Sequence, residues 1–339
     1  MIRHPLRLLL IGALLTGLAL AFAWAAGRFG HHALTPQQIV DRQQGEAIFA
    51  GFRRAHAKGL CIDGELQASG ALAPYSRASL FAAGATPFVG RFSIGGGNPT
   101  APDLAAPVRS LALAFEQPDG QQWRTAMNTP PVLPVDTPAS FYAQLAALKP
   151  DPQTGKPDPR RVAAFFAEHP QSAAFRAWRA AYSPSASFAT ERYHSINAFY
   201  LIDDEGKRRA VRWAAVPQAA PSAASDAGPD DALQRELVTR LAQGPVSFDL
   251  VFTFADEGDV PEDPSTPWPS TRREVSAGTL TVRAATAQQD GRCNALSFDP
   301  LILPVGMAPS ADPILRARSP AYAISLRRRA REHLLGSAE

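Results

Sequence analysis

The apolar residues of this chain change their spacing several times between its two ends. From Gly59 to Phe115, short stretches rich in β-forming residues alternate with Gly, Pro, Asn and Asp, a pattern that predicts successive strands. From 137 to 182, apolar residues recur every three to four positions after Thr, Asp or Pro, which predicts helices. Four further strand patterns follow, and a helical pattern at 232–244 lies among them.

The order of these elements predicts the fold class. About eight short strands, not separated one by one by helices, favour an antiparallel sheet over a parallel one. A helix pattern begins at Thr35-Pro36 and continues to about Arg54, and a basic helical pattern closes the chain. We therefore expect an α+β protein, an antiparallel β-barrel of about eight strands with a helical insertion and a C-terminal helix. The small, Pro-rich stretch 217–231 is expected to be a surface loop.

The N-terminus has the pattern of an export segment. Arg3 and Arg7 precede an apolar run from Leu8 to Ala26, long enough to span a bilayer as a helix. Small-residue sites within this run also permit cleavage, so a removed signal peptide and a membrane anchor both remain open. Either case predicts that the folded part lies outside the cytoplasmic membrane, in a bacterial periplasm, with contact to the membrane through the N-terminus.

The length and composition allow one large core or two modest ones behind this segment. We expect residues 1–34 to be the export segment and its linker, and residues 35–339 to be the domain. His31-His32 is interpreted as part of the solvated linker rather than as a metal site. With 45% hydrophobic residues the chain is globular, and 34 basic against 31 acidic residues argue against nucleic acid as a partner.

The two cysteines limit the covalent chemistry. Cys61 and Cys293 lie far apart, which excludes Cys-x-x-Cys metal knuckles and the Cys-x-x-Cys-His attachment of haem. They either form a single disulfide or are separate buried thiols, and the sequence favours separate thiols. Common catalytic motifs are missing as well, and "GGGNP" at 95–99 is interpreted as a turn.

The C-terminal stretch "FDPLILPVGMAPSADPILRARSPAY", from Phe298 to Tyr322, resembles the signature of the haem catalases. Arg318 and Tyr322 match the Arg-x-x-x-Tyr motif of that family. Upstream, "RRAHAKG", "GRFS" and "VRSLALAF" resemble further catalase segments. The similarity covers most of residues 45 to 325 and leaves out the N-terminal arm and C-terminal extension of ordinary catalases. The chain is therefore most similar to the small catalase-related peroxidases.

The resemblance implies a non-covalently bound haem b. Tyr322 would ligate the ferric iron as a phenolate, and Arg318, one helical turn away, would add a positive charge beside it. Pro320 lies between them, so we expect either a kink or a new helix that starts with Ser319 as its cap. Four more residues match positions that contact the porphyrin or its propionates: Arg53, Arg91, Phe141 and Arg329.

The resemblance also implies a distal proton shuttle. His56 would act as the acid and base, and Ser93 would hydrogen-bond its ring. An alignment without gaps puts Met127 at the place of the distal asparagine of catalases, with Asn128 beside it. A thioether donates no hydrogen bond, so we expect peroxidase activity to exceed the dismutation of hydrogen peroxide.

The expected function is reduction of hydrogen peroxide or organic hydroperoxides with small organic electron donors. One alternative is an isomerase or dehydratase of fatty-acid hydroperoxides with the same fold. Another is a periplasmic carrier of haem or an apolar ligand, without turnover. Because the arm that threads between catalase subunits is missing, we expect a monomer or a homodimer.

Overall fold

A computed structural model describes residues 5–25, 34–151, 153–220 and 228–336. Within them the helices are α1 Pro5–Ala25, α2 Pro36–Gln44, α3 Pro138–Ala147, α4 Pro159–Glu168, α5 Ala173–Ala181, α6 Ala232–Leu241 and α7 Pro313–Gly336. The strands are β1 Gly59–Ala68, β2 Gly84–Ile94, β3 Arg109–Glu116, β4 Gln122–Asn128, β5 Tyr193–His194, β6 Phe199–Ile202, β7 Arg208–Pro217, β8 Val246–Phe254, β9 Glu274–Ala287 and β10 Met307–Pro309.

Eight of the described strands close into an antiparallel barrel, as the sequence predicts. Their order is β7-β5-β4-β3-β2-β1-β9-β8, and pairing of β8 with β7 completes the ring. One edge of β7 pairs with β8, and its other edge pairs with both β6 and β5. Strands β5 and β6 are therefore two parts of one barrel strand, interrupted at residues 195–198.

The barrel interior is filled by aromatic and aliphatic side chains. Alternation along β8, where every second residue is buried, points one face of the strand inward. Trp123 lies near the centre, with ring centroids 5.3 Å from Phe115 and from Trp213. Burial of each such side chain contributes about 1.5–3 kcal/mol. Because the interior is packed, a large ligand must bind outside the barrel wall.

Helix α2 is shorter than predicted. It ends at Gln44, where Gly45 adopts a φ of 71° and donates its N–H to the carbonyl of Asp41. The chain then runs without regular structure to the start of β1, and Arg54 donates to the carbonyls of Phe49 and Phe52 at 3.3 and 2.7 Å. The predicted continuation to Arg54 is wrong because this side chain replaces the helical backbone hydrogen bonds.

Helix α7 is continuous from Pro313 to Gly336 with Pro320 inside it, so the predicted start of a new helix at Ser319 is wrong. Its N-cap is Asp312, whose Oδ1 accepts hydrogen bonds from the backbone N–H groups of Ile314 and Leu315 at 2.8 and 3.2 Å. Ser319 does not cap a new helix; its hydroxyl donates to Asp299 instead. One unbroken helix keeps residues four and seven positions apart on the same face.

Cys61 and Cys293 form a disulfide, which corrects the expectation of separate thiols. Strand β9 pairs with β1 so that Thr286 lies opposite Cys61. The chain turns back directly after β9 into a short 3₁₀ helix, Arg292–Asn294, which brings Cys293 over β1. Strand pairing, invisible in the linear sequence, is what joins two cysteines 232 positions apart.

The N-terminal predictions are only partly covered by the described residues. Residues Pro5–Ala25 are helical, and the side chains of this helix are described without a gap only from Leu9 to Ala23. Over the described residues, no helix is both long enough and apolar enough to cross a membrane. His31-His32 and residues 221–227 of the predicted loop lie outside the described residues.

Candidate functional site

A cavity of about 270 Å³ lies between the outer wall of the barrel and helix α7. Its walls come from β2, β3 and β4, from the irregular segment before β1, and from one face of α7. All eight residues singled out from the sequence border it: Arg53, His56, Arg91, Ser93, Phe141, Arg318, Tyr322 and Arg329. The fold thus brings together residues that are spread over more than 270 positions.

His56 reaches the cavity from a strained backbone. Its φ of 53° lies in the left-handed region, which few non-glycine residues adopt. Two neighbours fix this segment: Lys58 forms an ion pair with Asp103 at 3.0 Å, and Arg91 donates to the carbonyl of Ala57 at 3.2 Å. Gly59 has to lack a side chain, because a Cβ there would lie 2.5 Å from the guanidinium of Arg91.

The surroundings of His56 keep its ring neutral. Desolvation by burial, then the positive charges of Arg91, Arg318 and Arg53, lower its pKa from 6.5 to about 4, and a backbone hydrogen bond to Ile94 opposes this shift. The imidazole is therefore uncharged over the physiological range of pH. A neutral ring is what a proton acceptor requires.

Ser110, and not Ser93, is the hydroxyl beside this ring. Its Oγ lies 3.1 Å from Nδ1 of His56. Ser93 borders the cavity but has no such contact with His56 among the described hydrogen bonds. Sequence reasoning missed Ser110 because the family motif aligns it with a glycine; the alternation along β3 is the signal that could have placed it on this face.

Asn128, and not Met127, belongs to this polar group. The two residues are consecutive in β4 and so point to opposite faces. Met127 is fully buried in the barrel core, whereas Asn128 pairs across the sheet with Ser110 and accepts a hydrogen bond from its hydroxyl. The structure thus places a carboxamide beside Ser110, one residue after Met127, which itself also borders the cavity.

This arrangement selects a tautomer of His56. A serine hydroxyl has one proton, and that of Ser110 is donated to Asn128. Ser110 therefore accepts from Nδ1–H of His56, which leaves Nε2 with its lone pair. The ring nitrogen that carries no proton is the one that can take a proton from a molecule in the cavity.

Tyr322 and Arg318 lie one turn apart on the face of α7 that borders the cavity. The guanidinium carbon of Arg318 is 6.0 Å from the centre of the Tyr322 ring. Arg318 donates to Oδ1 of Asn197 and to the carbonyl of Ala126. A positive charge is thus held beside the phenol by groups that are themselves uncharged.

Asn197 was not identified from the sequence. It lies in the interruption between β5 and β6, next to Ile196, whose φ of 64° is rare for a β-branched residue. Its Nδ2 donates to Oδ2 of Asp312 at 2.6 Å, and burial raises the pKa of Asp312. The interruption between β5 and β6 therefore positions the side-chain amide of Asn197, which bonds both to Asp312 at the N-terminus of α7 and to Arg318.

Three guanidinium groups gather near Tyr322 without a carboxylate. Arg53, Arg91 and Arg329 form no ion pair among the described residues, and none of the described residues that line the cavity is Asp or Glu. Burial and their mutual repulsion lower the pKa of Arg91 to about 9 and that of Arg53 well below its usual value. Burial, followed by the charge of Arg54, lowers the pKa of Arg329 to about 10.

Known proteins are similar to this chain in sequence and in fold. A sequence profile of the catalase family, described as Catalase, matches residues 38–334, and the chain therefore belongs to the catalase family. A catalase-related peroxidase of Synechococcus elongatus is 37% identical over 322 residues, which cover 94% of this chain and 95% of that protein. A catalase-related peroxidase of Mycolicibacterium paratuberculosis is 36% identical over 302 residues, covering 87% of this chain and 95% of that protein.

Solved catalases have the same fold. A bacterial catalase superimposes with a TM-score of 0.73 at 22% identity, covering 90% of this chain. A fungal catalase gives a TM-score of 0.74 at 20% identity, covering 84% of this chain. The chain spans 62% and 60% of the lengths of those two proteins. Catalase-family proteins bind haem, and the cavity can be tested for its fit to that group.

The side chains that line the cavity suit an apolar ring that carries carboxylates. Nη1 of Arg53 and Nε of Arg329 are buried N–H groups without a partner among the described residues. Such donors, next to unpaired guanidinium charges, suit carboxylates that enter with a ligand. Phe141 supplies an apolar wall and packs against Ile314 in the first turn of α7. The residues present therefore fit haem and its propionates.

Proposed function

We propose that this chain is a haem b peroxidase that reduces hydrogen peroxide or organic hydroperoxides with electrons from small organic donors. Its broader class, an oxidoreductase that acts on a peroxide, follows from its membership of the catalase family and from the two catalase-related peroxidases. One observation carries the finer proposal: Tyr322 and the neutral imidazole of His56 border the same cavity as three guanidinium groups without counterions.

The residues that would hold the cofactor divide into three groups. The phenolate oxygen of Tyr322 would bind the iron, with Arg318 as the neighbouring positive charge. Arg53, Arg91 and Arg329 would bind the propionates. Phe141 would pack against the porphyrin. When bound, the haem supplies the redox and Lewis-acid chemistry needed to cleave an O–O bond.

His56 moves the proton in this proposal. Its Nε2 would accept the proton of the peroxide and deliver it to the oxygen that leaves as water or as an alcohol, while the electrons would come from the bound haem and, in turn, from the organic donor. Ser110 keeps the ring in the tautomer that has a free Nε2 lone pair. The low pKa of His56 allows it to accept the proton even in mildly acidic medium.

The preference for peroxidase over catalase activity rests on the relatives. Met127, which the alignment puts at the place of the distal asparagine, is buried in the barrel core and also borders the cavity, so it does not decide this preference. Because Asn128 supplies an amide near His56, some dismutation of hydrogen peroxide is expected alongside peroxidase turnover.

The electron donor is proposed to be organic because the cavity walls away from the arginines are largely apolar: Leu133, Pro138, Phe141, Ile314 and Ala317.

We also propose that the protein is exported and works in the periplasm as a monomer or homodimer. Arg3 and Arg7 followed by the apolar run up to Ala26 support export. The Cys61–Cys293 disulfide supports an oxidising compartment, because such crosslinks are rare where thiols are kept reduced. Size-exclusion chromatography and fractionation of cells test these two points.

Reconstitution with haem tests the enzymatic proposal. The purified chain is supplied with haem b, given an organic hydroperoxide, and followed by the oxidation of a reducing dye. Peroxide-dependent dye oxidation that is lost in His56→Ala, while haem stays bound, supports a peroxidase. Rearrangement of a fatty-acid hydroperoxide without dye oxidation supports the isomerase alternative. Haem binding without any turnover supports a carrier.

A further inference from the structure

One short segment holds two of the three arginines near Tyr322. Nη2 of Arg53 donates to the carbonyls of Cys293 and Leu296, at 2.8 and 2.9 Å. Arg329 donates to the carbonyl of Asn294, and at 3.4 Å to that of Leu296. The only regular structure described in this segment is a single 3₁₀ turn, Arg292–Asn294. Within it, the backbone N–H groups of Asn294 and Leu296 donate to the carbonyls of Gly291 and Cys293, at 3.0 and 3.2 Å.

Arg91, the third arginine, also bonds to this segment, and its side chain comes from strand β2. Arg91 lies directly across the β1–β2 pair from Cys61. Its Nε donates to Oε1 of Gln288 at 2.8 Å. The carbonyl of Gln288 lies 3.9 Å from the sulfur of Cys61. Residues 288–296 therefore supply acceptors to all three guanidinium groups, and we call these residues the cradle.

The disulfide is the covalent link between the cradle and the barrel. Cys61 and Cys293 are 1% and 0% exposed. The backbone packs so closely on them that a Cβ at Gly291 would lie 2.4 Å from the sulfur of Cys61. Tyr322 is among the residues that pack against this cysteine cluster. The crosslink thus fixes the cradle to β1 at the point where the arginines and the phenol converge.

We propose that the Cys61–Cys293 disulfide positions the three arginines that receive the haem propionates, and so slows the loss of haem. This rests on the proposed function of the site. Three like charges held close together repel one another, and neutral carbonyl and amide oxygens hold them in place. Without the crosslink the cradle relaxes away from β1, the guanidinium groups separate, and the propionates lose aligned donors.

The test compares the chain with and without the crosslink. The crosslink-free forms are Cys61→Ala/Cys293→Ala and the wild-type chain unfolded, reduced and refolded under reductant. Each is loaded with haem b, and transfer of haem to a scavenging apoprotein is timed. We expect about 10-fold faster transfer, the range seen when groups that orient metal ligands are removed. In the haem-free chain, loss of the crosslink should also accelerate the hydrogen exchange of residues 288–296. Reoxidation of the reduced wild type should restore both the slow haem transfer and the slow exchange.

Two further variants separate this effect from a general loss of stability. Leu233→Ala removes a fully buried side chain of α6 that belongs to the main core and not to the cysteine cluster, and should leave haem transfer slow. Gln288→Leu removes the acceptor of Arg91 but keeps the disulfide, and should speed transfer even where the crosslink-free forms do not refold. Wild-type transfer rates in every crosslink-free form that folds, or in Gln288→Leu where none of them folds, would overturn the proposal.

Haem retention and the spectrum of bound haem together distinguish a failure of the disulfide proposal from a failure of the proposed function. If Tyr322→Phe changes the spectrum of bound haem while the crosslink-free forms keep haem as long as the wild type, only the positioning role of the disulfide fails. If Tyr322→Phe leaves the spectrum and haem retention intact, the proposed function of the site fails, and with it this inference.

Discussion

The hydroxyl oxygen of Ser110 lies 3.1 Å from Nδ1 of His56, and its proton is donated to Asn128. Ser110 and Asn128 face each other across the β3–β4 pair. Two barrel strands therefore set the tautomer of a histidine that belongs to neither of them. Ser110 thus makes the contact with His56 that the family resemblance gives to Ser93, which lies on the neighbouring strand β2.

Ser110→Ala should lower peroxide turnover by about 10-fold, because the ring of His56 loses the acceptor that fixes its tautomer. Steady-state dye oxidation of the haem-loaded protein measures the effect. Ser93→Ala is the matched control, since it removes the same hydroxyl from the same cavity, and it should have a smaller effect. A larger loss in Ser93→Ala than in Ser110→Ala would return the role to Ser93.

Asn128→Ala should also reduce turnover, whereas Met127→Leu should leave turnover nearly unchanged. Asn128 accepts the proton of Ser110, and Met127 is packed in the core, where a swap of similar volume costs less than about 1.5 kcal/mol. Turnover measured together with the urea midpoint separates the two effects. Loss of turnover in Met127→Leu with normal stability would place the thioether, and not the amide, at the site.

Much of the fold could be predicted from the sequence because strand alternation and helical spacing are local. The barrel strands and the helical insertion come from such patterns. Gly45 is a local signal for the end of α2 at Gln44, but the irregular course that follows depends on hydrogen bonds from the side chain of Arg54, which no local pattern displays. The disulfide depends on the pairing of β9 with β1, which the sequence does not display.

The residues of the candidate site also differ in whether a local sequence pattern identifies them. His56, Tyr322 and the arginines belong to contiguous motifs, so their resemblance to a family identifies them. Ser110 and Asn197 enter the site through sheet register and through a broken strand, and no local motif marks them. The consecutive pair Met127 and Asn128 could not be assigned until the face of β4 that borders the cavity was known.

Asn197→Ala should disturb Arg318 and the N-cap of α7 together. The change removes the acceptor of Arg318 and the donor to Asp312, so the free energy of unfolding should fall by about 1–3 kcal/mol. The visible spectrum of bound haem should shift, because the charge beside Tyr322 moves. Asn197→Gln keeps an amide and should recover part of the lost stability and part of the wild-type spectrum. An unchanged spectrum despite the loss of stability would show that Asn197 acts only on the helix cap.

The dependence of turnover on pH should reflect the low pKa of His56. Protonation removes the lone pair that accepts the peroxide proton, so activity falls when pH drops through this pKa. Desolvation and the neighbouring arginines lower the pKa from 6.5 to about 4, so activity should persist at pH values where an ordinary histidine is already charged. A profile of kcat/KM from acid to neutral pH measures this. An acid limb with its midpoint at or above 6.5 would contradict the assignment of His56.

The proposed function depends above all on binding of the haem iron by the phenol oxygen of Tyr322. The most direct measurement is the visible absorption spectrum of the haem-loaded Tyr322→Phe protein, taken with its haem content and beside Phe141→Leu, which keeps the phenol. We predict that Tyr322→Phe loses most bound haem and shifts the spectrum of the remainder, while Phe141→Leu keeps the wild-type band positions. Wild-type haem content, spectrum and turnover in Tyr322→Phe would contradict the account.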